Sequence, residues 1–158
     1  MTTLPLPDEG ATRALGERLA ASAPRGAVVY LHGDLGAGKS TLARAWLRAL
    51  GVTGTVRSPT YTLVERYRLG SGREALHLDL YRIGGGGELE FLGLDDADAA
   101  LWLVEWPERG AGGLPAADLE IGLAISGSGR AAVLRPGSAE GRGWLEALAG
   151  DGQLGAFA

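Results

Sequence analysis

Lys39, Ser40, Asp79 and Glu105 are the side chains of this sequence best suited to phosphate and divalent-cation chemistry. The run Gly-Asp-Leu-Gly-Ala-Gly-Lys-Ser-Thr at 33–41 fits the phosphate-loop pattern G-x-x-x-x-G-K-[ST] from Gly33 to Ser40. Gly33, Gly36 and Gly38 let the backbone close round an anion where side chains would clash. The amides along Asp34, Leu35, Gly36, Ala37 and Gly38 are then expected to point inward as a nest, with a helix N-terminus adding positive potential. In this reading Lys39 reaches the β- and γ-phosphates, the Ser40 hydroxyl ligates Mg²⁺, and Thr41 donates to an α-phosphate oxygen. Lys39 is also the only lysine among 15 basic residues. A chain that uses arginine everywhere else and lysine here fits a need for a compact point charge.

The acids lie further along. Leu76-His77-Leu78-Asp79-Leu80-Tyr81 alternates, so the leucines face one side and His77, Asp79 and Tyr81 the other. Asp79 could then assist Mg²⁺ or the attacking water; a solvated or capping carboxylate is the plain alternative. Leu101 to Trp106 reads as an apolar strand with Glu105 at its C-terminal end. The C-terminal ends of parallel strands collect at one edge of a sheet, which would set Glu105 beside the loop to orient Mg²⁺ through water or position the nucleophile. Thr60 follows Pro59 in a segment suited to sensing the γ-phosphate; an ordinary turn entering a strand is the alternative. Trp106-Pro107 either walls the site or simply packs. His77 is not expected to bind metal, because no second His or Cys lies at ligand spacing. Arg130 sits at a turn exit, and spacing alone leaves its role open.

The elements that must position these residues follow from periodicity. Ala27 to Leu31 is a continuous apolar run, as in a strand buried on both faces. Ser40 to Leu50 reads as a helix with Gly51 as its C-terminal cap. An earlier helix is expected over Asp8 to Ala21, with Asp8 as N-cap. The stretch from Tyr61 to Tyr67 is β-rich, and Gly70-Ser71-Gly72 makes a hairpin-like turn. Gly84 to Gly87 is expected to be a flexible break before a short helix over Glu88 to Gly93. Leu119, Ile121, Leu123 and Ile125 share one face of a strand that turns at Ser126 to Gly129 and returns through Ala131 to Leu134. Ser138 caps a last helix to Ala149, and the residues from about 150 to 158 are expected to fray. Together these predict an α/β fold of P-loop NTPase type in three layers, with a mostly parallel central sheet and an added antiparallel C-terminal hairpin.

At 158 residues the chain is expected to form a single domain. It has no cysteine, which excludes disulfides and cysteine-based metal sites and is compatible with a reducing cytosol. The N-terminal residues lack the basic start and apolar core of a secretion signal, so a cytoplasmic setting is expected. A net charge of −4 without a basic stripe makes a poor stand-alone nucleic-acid binder; if RNA is involved, a partner is expected to hold it.

Four stretches taken together resemble one family: 33–41, Ser-Pro-Thr-Tyr-Thr-Leu-Val at 58–64, His-Leu-Asp-Leu-Tyr-Arg at 77–82 and Leu-Val-Glu-Trp-Pro-Glu at 103–108. The Glu-Leu-Glu-Phe-Leu-Gly-Leu run at 88–94 fits as well. The chain is similar, from about Pro7 to Leu148, to the TsaE family, small bacterial P-loop ATPases of tRNA threonylcarbamoyladenosine biosynthesis. The resemblance implies ATP and Mg²⁺ as cofactors and slow hydrolysis. It also implies two paralogous actin-fold partners, one of which carries the threonylcarbamoyl-transferase site, with tRNA reached through that complex; no membrane is expected to be involved, because no apolar run in the sequence approaches membrane-spanning length. Carried onto this chain, it implies that Asp34 to Ser40 hold phosphates and that Ser40 and Glu105 serve Mg²⁺. Thr60 would lie in the switch segment, Asp79 would be a functional acid, and Glu9, Glu108 and Arg130 would lie near the nucleotide. Two features depart from the family pattern. Ser40 stands where many members carry Thr, and the four glycines at 84–87 replace a more helical stretch.

Two rival functions remain open at this level. A small-molecule or nucleotide kinase would show a phosphorylated acceptor, although no arginine-rich lid segment is evident. A nucleotide-gated binding module would bind a partner with ATP and never turn it over. A GTPase is disfavoured, because the guanine-reading Asn-Lys-x-Asp cannot occur in a chain without asparagine.

Overall fold

The computed structural model describes residues 1–94 and 99–150, the side chain of Phe91 excepted. Seven strands form one sheet: β1 (Thr2–Leu6), β2 (Ala27–His32), β3 (Val64–Arg68), β4 (Glu74–Asp79), β5 (Ala99–Glu105), β6 (Leu119–Ser126) and β7 (Gly129–Pro136). They lie in the order β1-β7-β6-β2-β5-β4-β3. The central pairs β6–β2, β2–β5 and β5–β4 are parallel, while the outer pairs are antiparallel. The expected α/β architecture with a parallel centre and a C-terminal hairpin is therefore the observed one.

Three helices, α1 (Glu9–Ser22), α2 (Lys39–Ala49) and α3 (Ala139–Gly150), cover one face of the sheet. Each starts or stops for a local reason. The Asp8 carboxylate caps α1 by accepting from Ala11 N–H at 2.8 Å, and Ser138 Oγ accepts from Gly141 N–H at 3.0 Å to cap α3. Gly51, at φ 95°, ends α2 with its amide on the Arg48 carbonyl, while the Val52 amide bonds the Leu47 carbonyl. Trp46 is fully buried beneath α2 and meets Trp144 of α3 edge-to-face, ring centroids 5.9 Å apart. On the other face, Leu76, Leu78 and Leu80 pack under two 3-10 helices, Gly86–Leu92 and Pro107–Gly110. Those short helices make a partial third layer over β4 and β5.

Several expectations are corrected. Thr2–Leu6 is a strand that periodicity did not reveal; it pairs with β7 at the sheet edge, where Pro5 is tolerated. β3 begins at Val64, three residues later than expected, because the Leu63 amide bonds the Pro59 carbonyl and Leu63 takes φ 68°. β4 ends at Asp79, so Tyr81 leaves the strand and is exposed. Ile125 shares a strand face with Leu119, Ile121 and Leu123 as expected, but unlike them it is 63% exposed, because β6 there runs beyond the core into its hairpin with β7. The glycine run is not an open break at Gly86: a Cβ there would meet the Ala111 carbonyl at 2.4 Å. Of the tail expected to fray, residues 151–158 lie outside the described residues, and Gly150 closes α3.

Candidate functional site

The register of the sheet builds the site. Leu31 of β2 pairs with Glu105 of β5, and Glu105 pairs with Asp79 of β4. These three residues therefore stand level at the C-terminal ends of adjacent parallel strands. Residues two apart on a strand share a face. Asp79 thus lies on the same face as Ala75, and Glu105 on the same face as Leu101 and Leu103, which is the side packed by α1 and α2. The chain leaves β2 on that side and wraps from Gly33 to Gly38 before entering α2.

Two glycines of the loop have no substitute. A Cβ at Gly33 would meet the Leu123 carbonyl at 2.6 Å, and Gly38, the residue before α2, sits at φ 109°. Lys39 opens α2 with 5% of its surface exposed. Its ammonium donates to the Gly33 carbonyl and lies 4.3 Å from the centre of the Trp106 ring. Trp106 reaches that position through a left-handed backbone, φ 56° and ψ 50°, immediately before Pro107. Such a conformation is costly for a bulky residue and persists only where its surroundings impose it.

A cavity of about 450 Å³ opens over the loop. Its lining includes the loop and the start of α2 from Leu35 to Thr41 (Ala37 excepted), together with Thr60, Asp79, Glu105, Trp106, Glu9 and Arg130. The volume falls in the range of small-molecule sites. Arg130 donates through Nε and Nη2 to the Gly36 carbonyl, at 3.2 and 2.9 Å, and so ties the β6–β7 turn to the loop. Asp79 is buried; its Oδ1 accepts from the Tyr81 amide at 3.0 Å, and its Oδ2 lies 3.5 Å from the Thr60 hydroxyl. Thr60 in turn stands 2.8 Å from the Ser58 hydroxyl. Glu105 is buried and bonded to His77 Nε2 at 2.7 Å.

Three of the residues singled out in the sequence lie apart from this cavity. Asp34 and Glu108 line a smaller hollow on the other side of Lys39 and Trp106, and the Ala37 side chain is buried in the core, leaving only its backbone for a ligand. Conversely, Asp8, Thr12, Ser128 and Gly129 line the main cavity although no motif marks them, and so does Ser58, which opens the 58–64 stretch but had no role assigned to it. They come from the starts of a helix, a turn and a hairpin, which only the tertiary fold brings together.

The donor set also defines which cation would fit. Among the described residues no group of three His, Cys, Asp or Glu side chains stands at metal-binding spacing. The Ser40 hydroxyl and one carboxylate suit a hard ion that keeps water and shares phosphate oxygens, as Mg²⁺ does, and not an ion caged by protein alone. Lys39, buried and with no carboxylate paired to it among the described residues, suits an anion.

The sequence model of the family described as "Threonylcarbamoyl adenosine biosynthesis protein TsaE" matches residues 6–132. The chain belongs to the TsaE family. Among its TsaE relatives, the tRNA threonylcarbamoyladenosine biosynthesis protein TsaE of Haemophilus influenzae is 42% identical over 125 residues, covering 75% of this chain and 78% of the relative. The protein of the same name from Bacillus subtilis is 38% identical over 118 residues, 73% of each chain. The crystal structure of Bacillus subtilis YdiB superposes with a TM-score of 0.78 and 27% identity over 95% of both chains. The matched span of the TsaE model takes in the loop, Thr60, Asp79, Glu105 and Arg130. Among the described residues no helix is long and apolar enough to cross a membrane.

Proposed function

We propose that the chain is a Mg²⁺- and ATP-binding P-loop ATPase that supports N6-threonylcarbamoylation of adenosine in tRNA. It acts beside a transferase formed by two paralogous actin-fold proteins and does not carry out the transfer. Lys39 carries the nucleotide half of this reading: a buried ammonium, answered only by a carbonyl and an aromatic face among the described residues, held at the mouth of a glycine loop. An isolated buried charge costs several kcal/mol, on the order of the penalty per ion in real proteins, and a triphosphate offsets it. Family membership carries the tRNA half.

The loop amides and Lys39 would hold the β- and γ-phosphates, and Thr41 an α-phosphate oxygen. Ser40 and Glu105 would hold Mg²⁺, which when bound neutralises charge on the phosphate oxygens. Asp79, level with Glu105 and facing the same cavity, orients the attacking water. Thr60, 3.5 Å from Asp79, links the 58–63 segment to the terminal phosphate. Glu9 and Arg130 flank the part of the cavity left for the nucleoside. The net charge of −4 leaves the tRNA to the partners, in the cytoplasm.

The test is phosphate release by the full chain, with and without the two partner proteins. Lys39→Ala is expected to abolish nucleotide binding by titration calorimetry. Asp79→Ala and Glu105→Ala are expected to lower turnover more than they lower ATP affinity. Unchanged turnover in both acid variants would discard the assigned roles. ATP-dependent partner binding with no phosphate release in any complex would favour the gated binding module.

A further inference from the structure

His77 has no part in the scheme above, yet its placement is specific. It is 3% exposed and lies outside the cavity, one alternation before Asp79 on β4. In register it pairs with Leu103, so Glu105 is its diagonal neighbour on the same face, within reach of a long side chain. His77 Nε2 and Glu105 Oε2 are 2.7 Å apart, both side chains buried. A carboxylate that serves a cation is ionised and only accepts, so in that role Nε2 would be the donor of this bond. Nδ1 has no hydrogen-bond partner among the described residues. The imidazole is therefore committed to one contact, and that contact occupies one oxygen of the acid that faces the phosphate loop.

We propose that His77 is a positioning residue for Glu105: its Nε2–H holds Oε2 back in the sheet, so that Glu105 presents only Oε1 to a loop-bound divalent cation and its water. The proposal rests on the Mg²⁺–ATP reading above and sharpens it. A carboxylate free to rotate could turn both oxygens to the cation and displace a water, or swing away from it. A carboxylate fixed through one oxygen offers a single, aimed acceptor. Neighbours that orient a metal-binding group in this way typically change metal affinity by about 10–100-fold when removed. A plain packing role, in which His77 merely satisfies a buried acid, predicts lost stability and no selective change in cation coupling.

The experiment compares His77→Gln with His77→Asn in the full chain. The glutamine amide nitrogen can stand close to the place of Nε2, whereas the asparagine amide nitrogen stops near Nδ1 and cannot reach Glu105. Titration calorimetry with a non-hydrolysable ATP analogue, in Mg²⁺ and in chelator, gives the tightening produced by the cation. That tightening is expected to fall at least about tenfold in His77→Asn and to be largely retained in His77→Gln. Affinity in chelator should stay within about twofold for both, since no phosphate contact is touched. Equal tightening in the two variants, with both melting below the unaltered chain, would overturn the proposal and leave His77 a packing residue. A third variant, His77→Leu, read in the same way, should behave as His77→Asn; tightening retained there would overturn it too. No analogue binding by the unaltered chain would instead remove the nucleotide reading and this proposal together.

Discussion

At the scale of single residues, Lys39 sets function against stability. The ammonium is buried with a carbonyl and a ring for company, so the ligand-free protein bears its desolvation. Lys39→Met keeps the length and removes the charge. Its expected result is a loss of ATP affinity on the order of a hundredfold, since hydrogen bonds to charged groups carry about 1.5–3 kcal/mol each. The melting temperature should stay level or rise; calorimetric titration and a thermal scan measure the two, and a drop of several degrees would contradict the account. The backbone of Trp106 belongs to the same trade, with strain of about 1–3 kcal/mol for a left-handed bulky residue held in place to set a ring over that cation. Motif spacing made Lys39, Ser40 and Glu105 legible, because each lies at the end of a strand or the start of a helix of recognisable period. Trp106 was legible only as a choice between wall and packing, since nothing in residue order reveals a φ of 56°.

At the scale of elements, the sheet is tied to its helices by a residue outside any motif. Asp118, just before β6, accepts from the Val28 amide at 2.9 Å and from the Ser138 hydroxyl at 2.6 Å, while its own carbonyl accepts from Gly137 N–H at 2.8 Å. One carboxylate thus joins β2, β6 and the cap of α3. Gly141 fits beneath it only because it has no Cβ, which would lie 1.8 Å from the Asp118 carbonyl. Asp118→Ala should cost about 1–3 kcal/mol by leaving a buried amide unpaired, read as a lower denaturant midpoint with an unchanged slope. Such tethers, and β1 itself, explain what periodicity could not supply. Thr-Thr-Leu-Pro-Leu is short and contains a proline, so its strand depends on the waiting edge of β7 and not on local preference. By contrast α1, α2, β2 and the β6–β7 hairpin carry their own caps, periods and turns, and residue order was enough for each. The same divide runs through the site: Asp79 and Glu105 end patterned strands, while Ser58, Ser128 and Gly129 reach the cavity only through the way loops are folded over it.

At the scale of the whole molecule, α1, α2, the central sheet and the β6–β7 turn all contribute to one cavity, so ligand binding should brace the entire domain. At a hundredfold excess of a Mg²⁺–ATP analogue over its dissociation constant, linkage gives about 2.7 kcal/mol. For a chain of this size that is a rise in melting temperature of about 5–10 °C, and Lys39→Met, about a hundredfold weaker, should keep only about 0.4 kcal/mol of it at the same concentration, a rise of about 1 °C. The level ranking of Leu31, Glu105 and Asp79 across three strands has a further consequence for how such a chain can change length. Because successive side chains alternate between faces, inserting one alanine after Leu76 would send Asp79 to the opposite side of the sheet. Inserting one at Gly70-Ser71-Gly72 would merely enlarge a turn, and analogue affinity there should stay within about twofold, since loops absorb added residues at little cost. Insertions and deletions are thus admissible between strands and barred within them: the acids keep their place by an odd-and-even count, and no amount of good packing can restore a count that is off by one.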